Sequence, residues 1–346
     1  MKNPIGIRKF HPSGEIHSIE LLRGIASAMV CFFHLSWGNQ RFLPDGALTR
    51  KLGTWGWSGV EIFFVISGFI IPYSMYLKNY TLGDFWVFLK KRVIRIEPPY
   101  LISIVLIVLL NFLSTLSPIY RGAPFTIDWV NLLSHLAYLN VFTGGSWLNP
   151  VYWSLAVEFQ YYLLIAFAFG LIVSGNLKIR LLFFVLFACS SFLHLPPNGF
   201  VFMYAGYFLA GILLFQFLCN KIERAEFWVL LLADILLLFF EQGMMLAVLV
   251  LLTLLIIVYV NKVPPVLRKL GMISYSLYLI HVPVGGRIIN IAEVRIHNVL
   301  LRQCTVYVAF AICIAVSYLF YITVERIFKQ YSSSIKYARN PLGTAS

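Results

Sequence analysis

Arg23 and His34 lie eleven residues apart inside one apolar stretch, Ile19 to Trp37. Eleven residues at about 100° each come to about 20° past three full turns, and the rise per residue separates the two by ~16 Å. A single helical face therefore carries an arginine near a membrane surface and a histidine deep in the span. Ionisable groups in a bilayer cost on the order of 3 kcal/mol or more and mark substrate or ion pathways by default. Arginine is always charged and offers bidentate donors to phosphate. Histidine near neutral pKa suits proton transfer or nucleophilic relay, and a carboxylate within reach can orient its tautomer.

Further polar residues recur at helical spacing. Ser27 and Cys31 share the face of Arg23 and His34; Ser154, Glu158 and Tyr161 share another; Ser274, Tyr278 and His281 share a third. Arg92 and Arg95 join Arg23 on one side of the membrane, whereas Glu61 and Glu158 are expected to converge with His34 in the opposite half. The ~16 Å between Arg23 and His34 matches an extended phosphopantetheine arm, so a thioester held by its phosphates at one surface can deliver its acyl group near the other. Asp234, alone among leucines, has no evident partner in the sequence.

The elements that must position these groups follow from composition. At 346 residues, 60% hydrophobic and 12% charged with mean hydropathy +0.82, the chain reads as an all-α polytopic membrane bundle. Apolar stretches fall at about 19–37, 58–77, 98–116, 151–173, 179–195, 199–219, 227–241, 244–260, 270–290 and 299–323, which predicts about ten transmembrane helices. Twenty Lys and Arg then fall on the side of the termini. Seven (Arg41, Arg50, Lys51, Arg121, Arg287, Arg295 and Arg302) fall on the other, so both termini are expected to be cytoplasmic. The net charge of +13 is mostly this topology signal and a fit to an anionic inner leaflet; it requires no nucleic acid. The first stretch reads as an uncleaved helix rather than a signal peptide. Lys78 to Glu97 is expected to form an amphipathic helix on the inner surface, ended by Pro98 and Pro99. The outer connection, Ser117 to Pro150, is a candidate lid or acceptor platform. Residues 331–346 are expected to be a short disordered cytoplasmic tail behind a single transmembrane domain over 1–330. The five cysteines lie in apolar segments without CxxC spacing and predict buried, unreactive thiols, and no metal framework is expected.

Five segments in order carry a resemblance: Ile19-Glu-Leu-Leu-Arg23-Gly-Ile-Ala26 with Phe32-Phe-His34; Gly59-Val-Glu-Ile-Phe-Phe-Val-Ile-Ser-Gly68; Arg92-Val-Ile-Arg95; Trp153-Ser-Leu-Ala-Val-Glu158; and Ile273-Ser-Tyr-Ser-Leu-Tyr-Leu-Ile-His281. Together they resemble the acyltransferase type 3 family, its exopolysaccharide-modifying members most closely. The resemblance implies a multi-pass protein of the bacterial inner membrane, an O-acyltransferase. It would take an acyl group, most simply acetyl from acetyl-CoA, and place it on a hydroxyl of a surface polysaccharide, lipopolysaccharide or lipid-linked glycan.

By position, His34 matches the family's catalytic histidine, and Arg92 and Arg95 match its donor-binding pair, with Arg23 beside them. Glu158 and Glu61 are expected to support His34, and Trp153, Tyr278 and His281 to line the acceptor path. Glu61 stands where the family often has Asp. Glu97 replaces a frequent aromatic and would put an acid beside the arginine pair, and Tyr161 replaces a frequent Phe. The esterase-like domain fused to some members is not expected here; partner proteins of glycan assembly or a second copy of the chain are. A transporter or flippase using the same charges is the rival reading, although no paired half-repeats are visible.

Overall fold

Lipid offers no hydrogen-bond partner, so an apolar stretch must satisfy its own backbone by coiling. The computed structural model describes residues 16–118, 120, 124–193 and 199–337, and no strand occurs among them. The chain starts with α1 (His17–Trp37), a short α2 (Leu48–Gly53) and α3 (Gly59–Leu77). The long α4 (Phe85–Thr115) then leads to a loop holding α5 (Trp129–His135) and α6 (Asn140–Thr143). Next come α7 (Tyr152–Ile172), α8 (Leu177–Cys189), α9 (Ala205–Leu218), α10 (Arg224–Gln242) and α11 (Met244–Tyr259). The chain closes through α12 (Pro265–Met272), α13 (Ser274–Arg295), α14 (Val299–Phe320), a π turn at Tyr321–Glu325 and α15 (Arg326–Ser334).

Each of the ten apolar stretches contains a helix, but only seven helical runs among the described residues are long and apolar enough to cross a membrane. α8 with 13 residues and α11 with 16 fall short of the ~20 that span a hydrocarbon core. α10 carries Arg224, Glu226, Asp234 and Glu241 along its length.

α1 lies at the centre of the arrangement, packed on α3, α12 and α13. Glycine permits the closest of these approaches: a Cβ at Gly271 would stand 1.9 Å from the Glu20 carbonyl oxygen, and one at Gly24 would stand 2.9 Å from the Gly271 nitrogen. α12 therefore lies directly against the turn that carries Arg23. α3 and α9 approach in the same way, since a Cβ at Gly68 would fall 2.2 Å from the Phe208 carbonyl oxygen. Where hydrophobicity cannot drive helices together, small residues at the crossing let dispersion do so.

Three expectations change. The Lys78 to Glu97 segment is no separate surface helix: after a turn capped by Thr81 and Asp84, α4 runs unbroken through Pro98 and Pro99. The missing N–H groups of the two prolines leave only the Ile94 and Arg95 carbonyls without a helical donor, and Tyr275 Oη of α13 donates to the adjacent Ile96 carbonyl at 2.8 Å, tying α4 to α13 at this point. The tail is also ordered further than expected, because α15 reaches Ser334 and docks on α4. There Lys91 Nζ donates to the Ser332 carbonyl at 2.9 Å and Ser332 Oγ donates to the Lys91 carbonyl at 2.7 Å; residues 338–346 lie outside the described residues. Finally, only Cys31 and Cys313 are buried, while Cys189 and Cys304 are exposed on the outer faces of their helices. A thiol is apolar enough to face lipid as readily as core.

Candidate functional site

Two cavities occupy the two ends of the α1 face, and Arg23 and His34 line different ones. The basic cavity, about 390 Å³, is lined by Arg23 of α1, Arg92 and Arg95 of α4, Glu158 and Tyr162 of α7, and Ser274 and Tyr278 of α13. Arg23 Nε donates to Ser274 Oγ at 3.2 Å. The Arg92 guanidinium lies over the rings of Phe88 and Tyr162, 5.3 and 5.4 Å from their centroids. The rings hold it by cation–π attraction without consuming its N–H donors. Glu158 accepts hydrogen bonds from Ser67 Oγ, at 3.3 Å, and from Tyr162 Oη, which makes it the acidic wall of this cavity.

A side chamber of about 180 Å³ shares Arg23 and Arg95 and adds Lys329. Glu325, which lines both, is turned inward by the π turn. It accepts from Ser276 N at 3.1 Å and Ser276 Oγ at 2.5 Å, so it caps the free N–H groups that open α13. Lys78, Lys329 and Glu325 are the residues of this end that sequence reasoning missed. Both lysines had registered only as topology charges.

The histidine cavity is larger, about 690 Å³, and His34 and His281 both line it. Their hydrogen bonds assign their protons. His281 Nδ1 lies 2.8 Å from the Leu277 carbonyl oxygen; a carbonyl only accepts, so Nδ1 carries the hydrogen and the neutral ring presents Nε2 as an acceptor. His34 Nδ1 lies 2.9 Å from the Val30 carbonyl oxygen and 3.2 Å from that Nε2. It must therefore be the N–H, shared between two acceptors. His34 Nε2 is left with its lone pair.

Proline shapes the same place. Pro283 cannot donate to the Leu279 carbonyl, and Asn149 Nδ2 donates there instead at 3.2 Å. That bond ties the loop after α6 to α13 beside His281. Around the histidines the wall is rich in amides: Asn39, Asn111, Asn131, Asn149 and Asn290. The loop expected as a lid or platform does roof this cavity, contributing Tyr120, Phe125, Asp128 and Leu148 among others.

The roof is pinned by His135, fully buried. Its Nδ1–H donates to the Asn131 carbonyl at 2.7 Å and its Nε2 accepts the Leu148 N–H at 3.0 Å. Burial pushes its pKa below the ordinary histidine value of 6.5.

No residue lines both large cavities. Between them stands Tyr278, whose ring centroid is 6.1 Å from that of His281 and 5.8 Å from that of Phe63. Its hydroxyl is bonded to Ser154 Oγ at 2.5 Å.

The expected carboxylate partner of His34 is therefore a second histidine. Glu158 lies in the basic cavity, one cavity away. Glu61 is buried, lines neither of these cavities and has no partner for Oε2 among the described residues. Trp153 packs against Phe64 and Tyr204 instead of facing a cavity. Glu97 is likewise absent from the lining of the basic cavity. Asp234 is fully buried, has no partner for either carboxylate oxygen among the described residues and lines neither cavity. Among the described residues no three His, Cys, Asp or Glu side chains gather as a metal-ligand group.

The basic cavity and the histidine cavity lie at the two ends of the α1 face, and the match to known sequences covers the helices that build both. Residues 16–322 match the type 3 acyltransferase domain. The chain belongs to the acyltransferase type 3 family. It is 30% identical over 171 residues to nodulation protein 10 of Rhizobium leguminosarum bv. viciae, covering 44% of each chain. It is 29% identical over 171 residues to the peptidoglycan O-acetyltransferase OatA of Listeria monocytogenes serovar 1/2a, covering 45% of this chain and 24% of that one. The chain thus spans less than half the length of these relatives. No solved structure gives a significant match.

Proposed function

We propose that this chain is a membrane O-acyltransferase that moves an acyl group, acetyl in the simplest case, from acyl-CoA in the basic cavity to a glycan hydroxyl in the histidine cavity. The observation that carries this reading is the free Nε2 lone pair of His34 in an amide-lined cavity, three helical turns from Arg23, which on the same helix joins Arg92 and Arg95 of α4 in the basic cavity.

Arg23, Arg92 and Arg95, joined by Lys78 and Lys329, hold the phosphates of the donor. Fixed guanidinium forks suit that task better than any neutral group. With the basic cavity on the side of the termini, the distribution of Lys and Arg puts this end at the cytoplasm and the histidine cavity at the outer face of a bacterial inner membrane.

His34 Nε2 takes the proton of the acceptor hydroxyl as its oxygen attacks the thioester carbonyl carbon. The C–S bond breaks, and the proton passes to the departing thiolate sulfur. His281 is a positioning residue: its Nε2 accepts from His34 Nδ1 and stabilises the imidazolium. Glu158 orients Tyr162, and through that ring Arg92, so it serves the donor end. Glu61 and Trp153 are assigned to packing between α3, α7 and α9. Tyr278 divides the cavities, so delivery of the acyl group to His34 requires its ring to swing aside. The amide wall supports a sugar acceptor, because Asn side chains both donate to and accept from hydroxyls.

Purified protein in lipid nanodiscs, given acetyl-CoA and oligosaccharide acceptors, should release CoA and form acetyl esters. His34→Ala should lower that rate about 10²-fold or more, the usual worth of a general base. Ester formation that survives His34→Ala would sink the proposal, as would vectorial glycan uptake without CoA release.

A further inference from the structure

The histidine cavity also holds a cationic side chain for which the reaction proposed above has no use. Arg287 of α13 lines it six residues beyond His281. Its Nη1 donates to the Pro283 carbonyl at 2.6 Å and its Nη2 to Asn111 Oδ1 at 2.7 Å, both neutral acceptors. Nε is buried and has no partner among the described residues. Among the described residues no carboxylate lies within ion-pair distance of this guanidinium. Its contacts therefore hold the fork in place without neutralising it. Among the described residues the only acid in the cavity lining is Asp128, and that carboxylate is occupied at the exposed start of α5, accepting from Asn131 N at 3.0 Å.

A fixed, unneutralised guanidinium partly withdrawn from water is costly unless an anion completes it. A lysine would serve as well for topology alone, but it would not be anchored at two points with donors to spare.

We infer that Arg287 is the acceptor-specificity residue of this cavity and that the acylated glycan carries an anionic group, a carboxylate or a phosphate, bound by this guanidinium. The inference rests on the acyltransferase reading above and names its substrate class. Six residues of α13 separate Arg287 from His281, about 9 Å along the helix axis. The anion and the reacting hydroxyl therefore occupy different parts of one acceptor, and binding the first holds the second at His34 Nε2. Such anchoring converts binding energy remote from the reacting atoms into orientation.

The test compares three acceptors of equal length with the full-length protein in nanodiscs: a neutral oligosaccharide, a uronate-bearing one and one bearing a phosphate ester. Initial rates are read as acetyl ester by mass spectrometry. The wild-type chain should favour at least one anionic acceptor over the neutral one by about tenfold or more in kcat/KM, the worth of a charge-assisted hydrogen bond. Added salt should erode that preference. Which anionic acceptor is favoured identifies a uronate or a phosphate as the source of the charge.

Arg287→Gln should collapse the ratio between anionic and neutral acceptors toward one, chiefly through KM, and Arg287→Lys should recover part of it. Equal use of all three acceptors by the wild-type chain overturns the inference, whatever becomes of the variants, and so does a preference that Arg287→Gln leaves intact. In either case ester formation itself persists, so the acyltransferase reading still stands. Absence of ester from every acceptor and of CoA release would instead remove the foundation shared by both.

Discussion

Replacing His281 with phenylalanine removes one of the two acceptors for the His34 Nδ1–H while keeping a ring of similar volume in the cavity wall. The Val30 carbonyl, at 2.9 Å, remains. It still demands a hydrogen on Nδ1, so the lone pair stays on Nε2 and the proposed base is not lost. What disappears is the 3.2 Å bond to His281 Nε2, which gains strength only when His34 becomes an imidazolium. A hydrogen bond to a charged group is worth ~1.5–3 kcal/mol. At about 1.4 kcal/mol per tenfold in rate, kcat should fall roughly 10- to 150-fold. The KM for acyl-CoA should be retained, because the proposed donor site is the other cavity.

Steady-state kinetics of CoA release with saturating glycan would measure both parameters. His281→Asn, which keeps a side-chain acceptor, should recover part of the rate, a rescue that packing alone would not produce. Combining His281→Phe with His34→Ala should add little to the loss from His34→Ala, since the two side chains act as one unit. A kcat for His281→Phe equal to that of the parent, or a loss confined to the KM of acyl-CoA, would refute the reasoning.

Tyr278→Ala should open the wall between the cavities and raise CoA release in the absence of any glycan, because water would then reach the thioester; a thiol-reactive dye reports it, and an unaltered rate would show that Tyr278 is no barrier. At His135 the folded protein holds its imidazole neutral, below the ordinary value of 6.5. The unfolded chain therefore binds the extra proton first as pH falls, and stability should decline below about pH 6.5. His135→Asn should flatten that decline. The check is a pair of thermal-unfolding series between pH 5 and 8, and parallel curves for parent and variant would argue against it.

Much of this protein was legible before any coordinates. The long apolar runs could satisfy their backbones only as helices, and the 3.6-residue period placed Arg23 and His34 on one face three turns apart. Both residues do line cavities, at opposite ends of that face. The loop from Ser117 to Pro150 was marked as a platform by its length and its aromatic and asparagine content, and it roofs the histidine cavity.

Tertiary structure decided the partners. Periodicity says which residues of one helix share a face, but it carries no information about which other helix that face meets, or at what height. Glu158 and Glu61 were grouped with His34 from their depth along separate helices. Rotation of α7 turns Glu158 toward Ser67 and Tyr162, and Glu61 is buried away from both cavities, while α13 brings His281 to His34. Lys78, Lys329 and Arg287 looked like topology charges because a count of basic residues is blind to direction. Only packing shows which of them point inward and lack a counter-charge. The proline pair in α4 was read as a break for a similar reason: local propensity penalises the missing N–H groups, whereas α4 is held through them by packing against distant helices that no local rule includes, with Tyr275 of α13 bonded to the Ile96 carbonyl and α15 docked on Lys91.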